Sequence, residues 1–131
     1  MHNRPLVSIV DDDESVRESL PDLLRVLGFA AQAFSSAQEF LASGYVEQTR
    51  CLLLDVAMPG MSGPMMIDHL LTLEPNLRVL FMSGYDDRQV VQRYVIEKGF
   101  ALIPKPFTLQ SLGAFVKNIL NGDASTGPAT P

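Results

Sequence analysis

Three consecutive aspartates, Asp11, Asp12 and Asp13, stand directly after the apolar, β-branched run Leu6–Val10. Side by side their charges repel, and a strand end does not by itself favour such a cluster. A fourth acid, Asp55, closes the run Cys51–Asp55, Ser83 and Gly84 follow Leu77–Met82, and Lys105 follows Phe100–Pro104, framed by Pro104 and Pro106. Two or three carboxylates, with backbone carbonyls and waters, make a site for a hard divalent ion. Mg²⁺ takes one or two carboxylates and keeps its waters for phosphate oxygens, so Mg²⁺, or Mn²⁺ in its place, is the expected metal. A carboxylate is also a nucleophile towards phosphorus. A metal, an ammonium and a hydroxyl around the phosphoryl oxygens then amount to a site for forming an aspartyl-phosphate. Asp55 fits the nucleophile best, because it stands alone at the end of a buried strand opposite the acidic run. Lys105 holds one phosphoryl oxygen and the Ser83 hydroxyl donates to another.

Each residue also has an ordinary structural reading. A lone aspartate at a strand end usually closes a turn or caps a helix, and an acidic run at a helix N-terminus favours the helix dipole. A single lysine is ordinarily a surface residue. The coincidence sets this group apart, since each unusual polar residue falls at the carboxyl end of a different apolar segment.

Those segments are the elements that must position the site. Five short, β-leaning stretches, Leu6–Val10, Ala30–Phe34, Cys51–Asp55, Leu77–Met82 and Phe100–Pro104, alternate with segments of helical spacing. The runs "CLLL" and "VLFM" show no alternation, as expected for strands covered on both faces of a parallel sheet. Val16, Leu20, Leu23, Leu24 and Leu27 mark the first helix, with Gly28 as its stop. Ser36 and Glu39 read as a capping box for a short second helix around Phe40 and Leu41. Residues Met65–Thr72, Arg88–Glu97 and Thr108–Leu120 complete the helical set. The pattern is βα repeated five times, which implies an α/β fold with a five-stranded parallel sheet and helices on both faces. In such a sheet the functional crevice lies beyond the carboxyl ends of the strands, where the acids, Ser83 and Lys105 emerge. The second strand delivers only Ser35 and Ser36, which suits a place away from the crevice. Pro21 lies inside the first helical pattern and predicts a kink, or a helix that restarts near Ser19.

The chain has 131 residues, 47% of them apolar, which predicts one domain with a sizeable core. Residues 1–121 read as that domain and 122–131, small, polar and rich in Pro and Gly, as a flexible tail or the start of a linker. A formal net charge of −5 speaks against non-specific binding to nucleic acid or anionic membranes. Cys51 is the lone cysteine, so no internal disulfide forms, and a reducing, cytoplasmic setting is expected. No signal peptide and no membrane-spanning run is read in the sequence. His2 and His69 have no second ligand at metal spacing and read as surface residues, and Cys51 reads as a buried small hydrophobe. Met58, Met61, Met65 and Met66 read as packing residues, and Arg88 and Arg93 as a solvated helix face.

The motifs "IVDDDE", "LLLDVAMPGMSG", "VLFMSGY" and "IPKPF" together resemble the response-regulator receiver domain of two-component signalling. Four blocks match in order and at domain spacing, over roughly Leu6 to Leu120, and the resemblance implies a doubly wound five-stranded sheet of flavodoxin-like type with strand order 2-1-3-4-5. The resemblance implies that Asp11 and Asp12 bind Mg²⁺, Asp12 directly and Asp11 mostly through water. It implies that Asp55 accepts a phosphoryl group from the phosphohistidine of a sensor histidine kinase or phosphotransfer protein. The backbone carbonyl of Ala57 becomes a metal ligand, Ser83 the switch hydroxyl and Lys105 the phosphate-pairing lysine. It also implies a cis Lys105–Pro106 bond, and an output or homodimer face built from the fourth helix, fifth strand and fifth helix. Asp13 and Glu14 are left to cap the first helix.

The sequence departs from the pattern at Leu102, three positions before the lysine, where the family usually carries an aromatic residue that moves with the switch hydroxyl. A smaller rearrangement of the output face is expected. Ala57 and Tyr85 occupy positions that tune hydrolysis of the aspartyl-phosphate, and together they imply a slow loss of phosphate. Two rival readings are a small Mg²⁺-dependent phosphatase and an interaction module that takes no phosphate. Phosphatases of the haloacid-dehalogenase type need a second acid two positions after the nucleophile. Ala57 stands there, so Asp55 reads as an acceptor and the chain as a signalling domain rather than an enzyme. The tail suits either a linker to a DNA-binding domain or the end of a hybrid kinase.

Overall fold

The computed structural model describes residues 4–55, 69–74, 77–83, 101–105 and 107–121. The expected fourth helix over Arg88–Glu97 and the output and homodimer face that needs it lie outside them. So do His2, Ala57, Met58, Met61, Met65, Met66, Gly84, Tyr85, Arg93, Phe100, the Lys105–Pro106 bond and the tail.

The strands are β1 (Leu6–Val10), β2 (Ala30–Phe34), β3 (Thr49–Asp55), β4 (Arg78–Ser83) and β5 (Ala101–Pro104), all parallel, in the order β2-β1-β3-β4-β5. The helices are α1 (Glu14–Val26), α2 (Ala37–Ala42) and α3 (Leu109–Leu120). Residues 69–73 are also helical. The period of two along each strand sorts side chains to opposite faces. Val7, Ile9, Cys51, Leu53, Leu80, Met82 and Ile103 join Leu20, Leu24, Leu112 and Val116 in one apolar cluster. Val10, Leu52, Leu54, Val79 and Phe81 join Phe40 and Leu70 in another. Helices therefore cover both faces, and the central strand shows it most plainly: Cys51, Leu52, Leu53 and Leu54 are all fully buried. This is the doubly wound sheet that the unbroken apolar runs predict.

Local sequence sets the element ends. Asp13 caps α1 by accepting from the Ser15 backbone N–H. At the other end, Gly28 N–H donates to the Arg25 carbonyl and Phe29 N–H to the Leu24 carbonyl, a Schellman arrangement. It requires the left-handed backbone that Gly28 adopts, with φ of 100°. Ser36 caps α2 by accepting from Glu39 N–H at 3.0 Å, but the return bond runs from Ser35 N–H to the Glu39 carboxylate, one residue earlier than a capping box places it. Thr108 and Ser111 cap α3 reciprocally.

Some boundaries differ from the sequence reading, β4 among them, which runs Arg78–Ser83 rather than Leu77–Met82. β3 begins at Thr49, two residues before Cys51, because its polar start is tied down by side chains. Thr49 Oγ1 donates to the Tyr45 carbonyl and is hydrogen-bonded to Ser8 Oγ at 2.7 Å. Of the two outcomes expected at Pro21, a kink or a restart near Ser19, the restart does not occur, since the helix runs unbroken through Pro21. Pro21 is buried beside Leu20 and Leu24, and apolar burial helps offset the backbone bond that the imide cannot donate to Arg17.

Candidate functional site

β1 and β3 are neighbours, with Val10 opposite Leu54, so the residues that follow them share one rim. The backbone continues β1 one step further: Asp11 N–H donates to the Phe34 carbonyl at 3.1 Å. Asp11 is fully buried and Asp55 is 5% exposed. Asp12 is exposed. One carboxylate oxygen from each of Asp11, Asp12 and Asp55 lies within 4.8 Å of the others.

β5 brings the cation. Ser83 pairs with Pro104 in register, and Lys105 N–H donates to the Ser83 carbonyl at 2.7 Å. That bond carries the chain over the end of β4 and turns the lysine back towards β1. Lys105 Nζ donates to Asp11 Oδ2 at 2.8 Å and lies 3.8 Å from Asp55 Oδ2. Ser83 is 3% exposed beside it. The five residues read as site side chains, Asp11, Asp12, Asp55, Ser83 and Lys105, thus gather on one rim. The Ala57 carbonyl lies outside the described residues.

The electrostatics favour a cation. Three carboxylates leave the rim negative even against the Lys105 ammonium and the Arg17 guanidinium, and like charges this close repel. Asp11 is held at both oxygens, with Oδ1 accepting from Asp13 N–H at 2.9 Å and Oδ2 from Lys105. Burial alone would lower the pKa of the Lys105 ammonium. The hydrogen bond to Asp11 and the charges of Asp55, Asp11 and Asp13 outweigh it and raise the pKa. The Asp13 carboxylate is held below its ordinary value by the hydrogen bonds from Ser15. That agrees with its place as a helix cap rather than a ligand, as expected for the spare acid.

Sequence reasoning passed over Arg17. Its Nη1 donates to the Asp11 backbone carbonyl at 3.0 Å, so a second cation reaches the rim from α1. Beside Lys105 there is also an apolar hollow of about 240 Å³, lined by Val16, Ser19, Leu20, Leu23 and Phe107. Leu102, at the aromatic position, is partly buried against the Phe40–Phe81 cluster. His69 is exposed. Cys51 is fully buried, and that burial pushes its thiol up to about 12, so it behaves as a small hydrophobe. No described helix is long and apolar enough to cross a membrane.

A sequence profile of the response regulator receiver domain matches residues 7–117. The chain belongs to that family. Over 109 residues this receiver domain is 36% identical to nodulation protein W of Bradyrhizobium diazoefficiens, covering 83% of the chain and 48% of that relative. It is 32% identical over 121 residues to the transcriptional regulatory protein FixJ of Azorhizobium caulinodans, covering 92% and 57%. Among solved structures, the crystal structure of FixJ-N superposes with a TM-score of 0.78 at 30% identity, over 93% of this chain and 97% of that one. The response regulator StyR superposes with a TM-score of 0.77 at 36% identity, over 90% and 60%. The chain spans about half the length of the curated relatives it matches. Receiver domains of two-component response regulators are signalling domains that work with histidine kinases, take a phosphoryl group on an aspartate and bind Mg²⁺ at an acidic pocket.

Proposed function

We propose that Asp55 is the phosphoacceptor of this receiver domain, with Asp11, Asp12, Asp55 and the Ala57 backbone carbonyl as the ligands of Mg²⁺. The observation that carries the reading is the meeting of three carboxylates within 4.8 Å beside the Lys105 ammonium. The donor set fits the ion: hard oxygen ligands, an excess of negative charge, and an exposed Asp12 that leaves room for water. When bound, Mg²⁺ supplies charge neutralisation for the phosphoryl oxygens.

The chain's own residues do the rest. An Asp55 carboxylate oxygen attacks phosphorus, a P–O bond forms and the P–N bond to the donor histidine breaks. The electron pair leaves on an imidazole whose other nitrogen already carries the proton, so neutral histidine departs. Lys105, already 3.8 Å from Asp55, swings from Asp11 to a phosphoryl oxygen, and Ser83 donates to another. The donor is a sensor histidine kinase or a histidine phosphotransfer protein, the setting is cytoplasmic, and uptake is stoichiometric rather than catalytic. Residues 122–131 serve as a tail or linker.

Intact mass after treatment with acetyl phosphate and Mg²⁺ tests this. Wild type gains one phosphoryl group and Asp55→Asn gains none. Equal labelling of both, or labelling of wild type without any divalent ion, overturns the assignment.

A further inference from the structure

Asp11 is fully buried, and its polar atoms are all engaged: its N–H by Phe34, Oδ1 by Asp13, Oδ2 by Lys105 and its carbonyl by Arg17. That last bond acts on a different residue. The Asp11 carbonyl belongs to the peptide that carries the Asp12 nitrogen and Cα, so holding its orientation restricts where the Asp12 side chain can point. The Asp12 carboxylate is exposed, and among the described residues no side chain or N–H holds it. Its aim therefore depends on the backbone. The Arg17 backbone is anchored, since its N–H donates to the Asp13 carbonyl in the first turn of α1.

We infer that Arg17 is a positioning residue for the metal site: its guanidinium clamps the Asp11–Asp12 peptide and so aims the Asp12 carboxylate at the space shared with Asp11 and Asp55. This rests on the Mg²⁺ reading above. The inference runs against simple charge counting, and that makes it testable. A cation near a divalent ion repels it, so removing Arg17 should tighten Mg²⁺ binding if charge alone matters. Removing a clamp on a ligand should weaken binding, on the order of tenfold.

Mg²⁺ affinity is measured by titration calorimetry on the full chain for wild type, Arg17→Met, Arg17→Lys and Arg25→Met. Arg25 is a matched control on the same helix: its Nη2 donates to the Ala31 carbonyl at 3.1 Å, at the far end from the site. The clamp predicts a loss of about tenfold for Arg17→Met, partial recovery in Arg17→Lys, and unchanged affinity in Arg25→Met. Unchanged or tighter binding by Arg17→Met overturns it, as does an equal loss in Arg25→Met, which would mean general loosening of α1. If Arg17→Met does not fold, Arg17→Gln, too short to span the same distance, replaces it with the same expected loss. A wild type that binds no Mg²⁺ defeats the metal reading itself; a wild type that binds while the Arg17 variants match it defeats only the clamp.

Discussion

At the scale of single residues, the Asp11–Lys105 pair joins groups 94 positions apart in sequence. A buried carboxylate with its partner removed is costly, commonly 3–5 kcal/mol, whatever the net worth of the intact pair. The pH dependence follows from the direction of the shift. The folded Lys105 pKa is raised above that of the unfolded chain, so its contribution is fully present below the ordinary lysine value, about 10.4. It is lost as pH rises through the higher folded value. Urea midpoints of wild type and Lys105→Gln should therefore differ most at neutral pH and stay apart up to roughly pH 10. They should converge only above that, and a gap that widens in alkali would contradict the sign. The individual acids, Ser83 and Lys105 were legible from residue type and place. Arg17 was not, because its partner is a backbone carbonyl. A carbonyl carries no residue-type signal, and an arginine on a helix reads as solvated until its reach is known.

At the scale of elements, the strand cores were legible because unbroken apolar runs have few other uses, and β1 and β2 match their expected bounds. The ends were less so. Thr49 joins β3 through hydroxyl bonds to Ser8 and Tyr45, the first of them across 41 residues, and a local pattern cannot register that. Helix starts were better marked, since capping is local chemistry. α3 depends on such a cap: Ser111 N–H donates to Thr108 Oγ1 at 3.0 Å, and Thr108 N–H donates back to Ser111 Oγ at 3.1 Å. This helix packs Leu112, Val116 and Ile119 onto the sheet over β3 and β4. Thr108→Ala should lower stability by about 1 kcal/mol, seen as a lower urea midpoint with an unchanged slope. Thr108→Asp, which keeps an accepting oxygen at the cap, should lose much less. Equal losses in the two would mean that the methyl group, not the hydroxyl, matters.

For the molecule as a whole, the site gathers like charges on the rim of an otherwise well-buried sheet. Three carboxylates within 4.8 Å repel, and Lys105 can answer only part of that charge. A ligand that binds only the folded chain stabilises it by mass action, about 2.7 kcal/mol at a hundred times its dissociation constant. For a domain of this size each kcal/mol moves the melting temperature by roughly 2–8 °C. Saturating Mg²⁺ should accordingly raise the melting temperature by several degrees. Asp12→Asn separates the two effects, because Asp12 is exposed and its neutralisation leaves the core untouched. Without metal that variant should melt slightly higher than wild type, because a repelling charge is gone. With Mg²⁺ it should gain little, and the order of the two proteins should narrow or reverse. A variant that melts lower than wild type without metal, or that keeps the full Mg²⁺ shift, would mean that the acids are not under mutual strain and that Asp12 does not hold the ion. The sequence pointed to the acids one by one, and the β2-β1-β3-β4-β5 order, expected and observed, is what brings acids from two strands onto one rim.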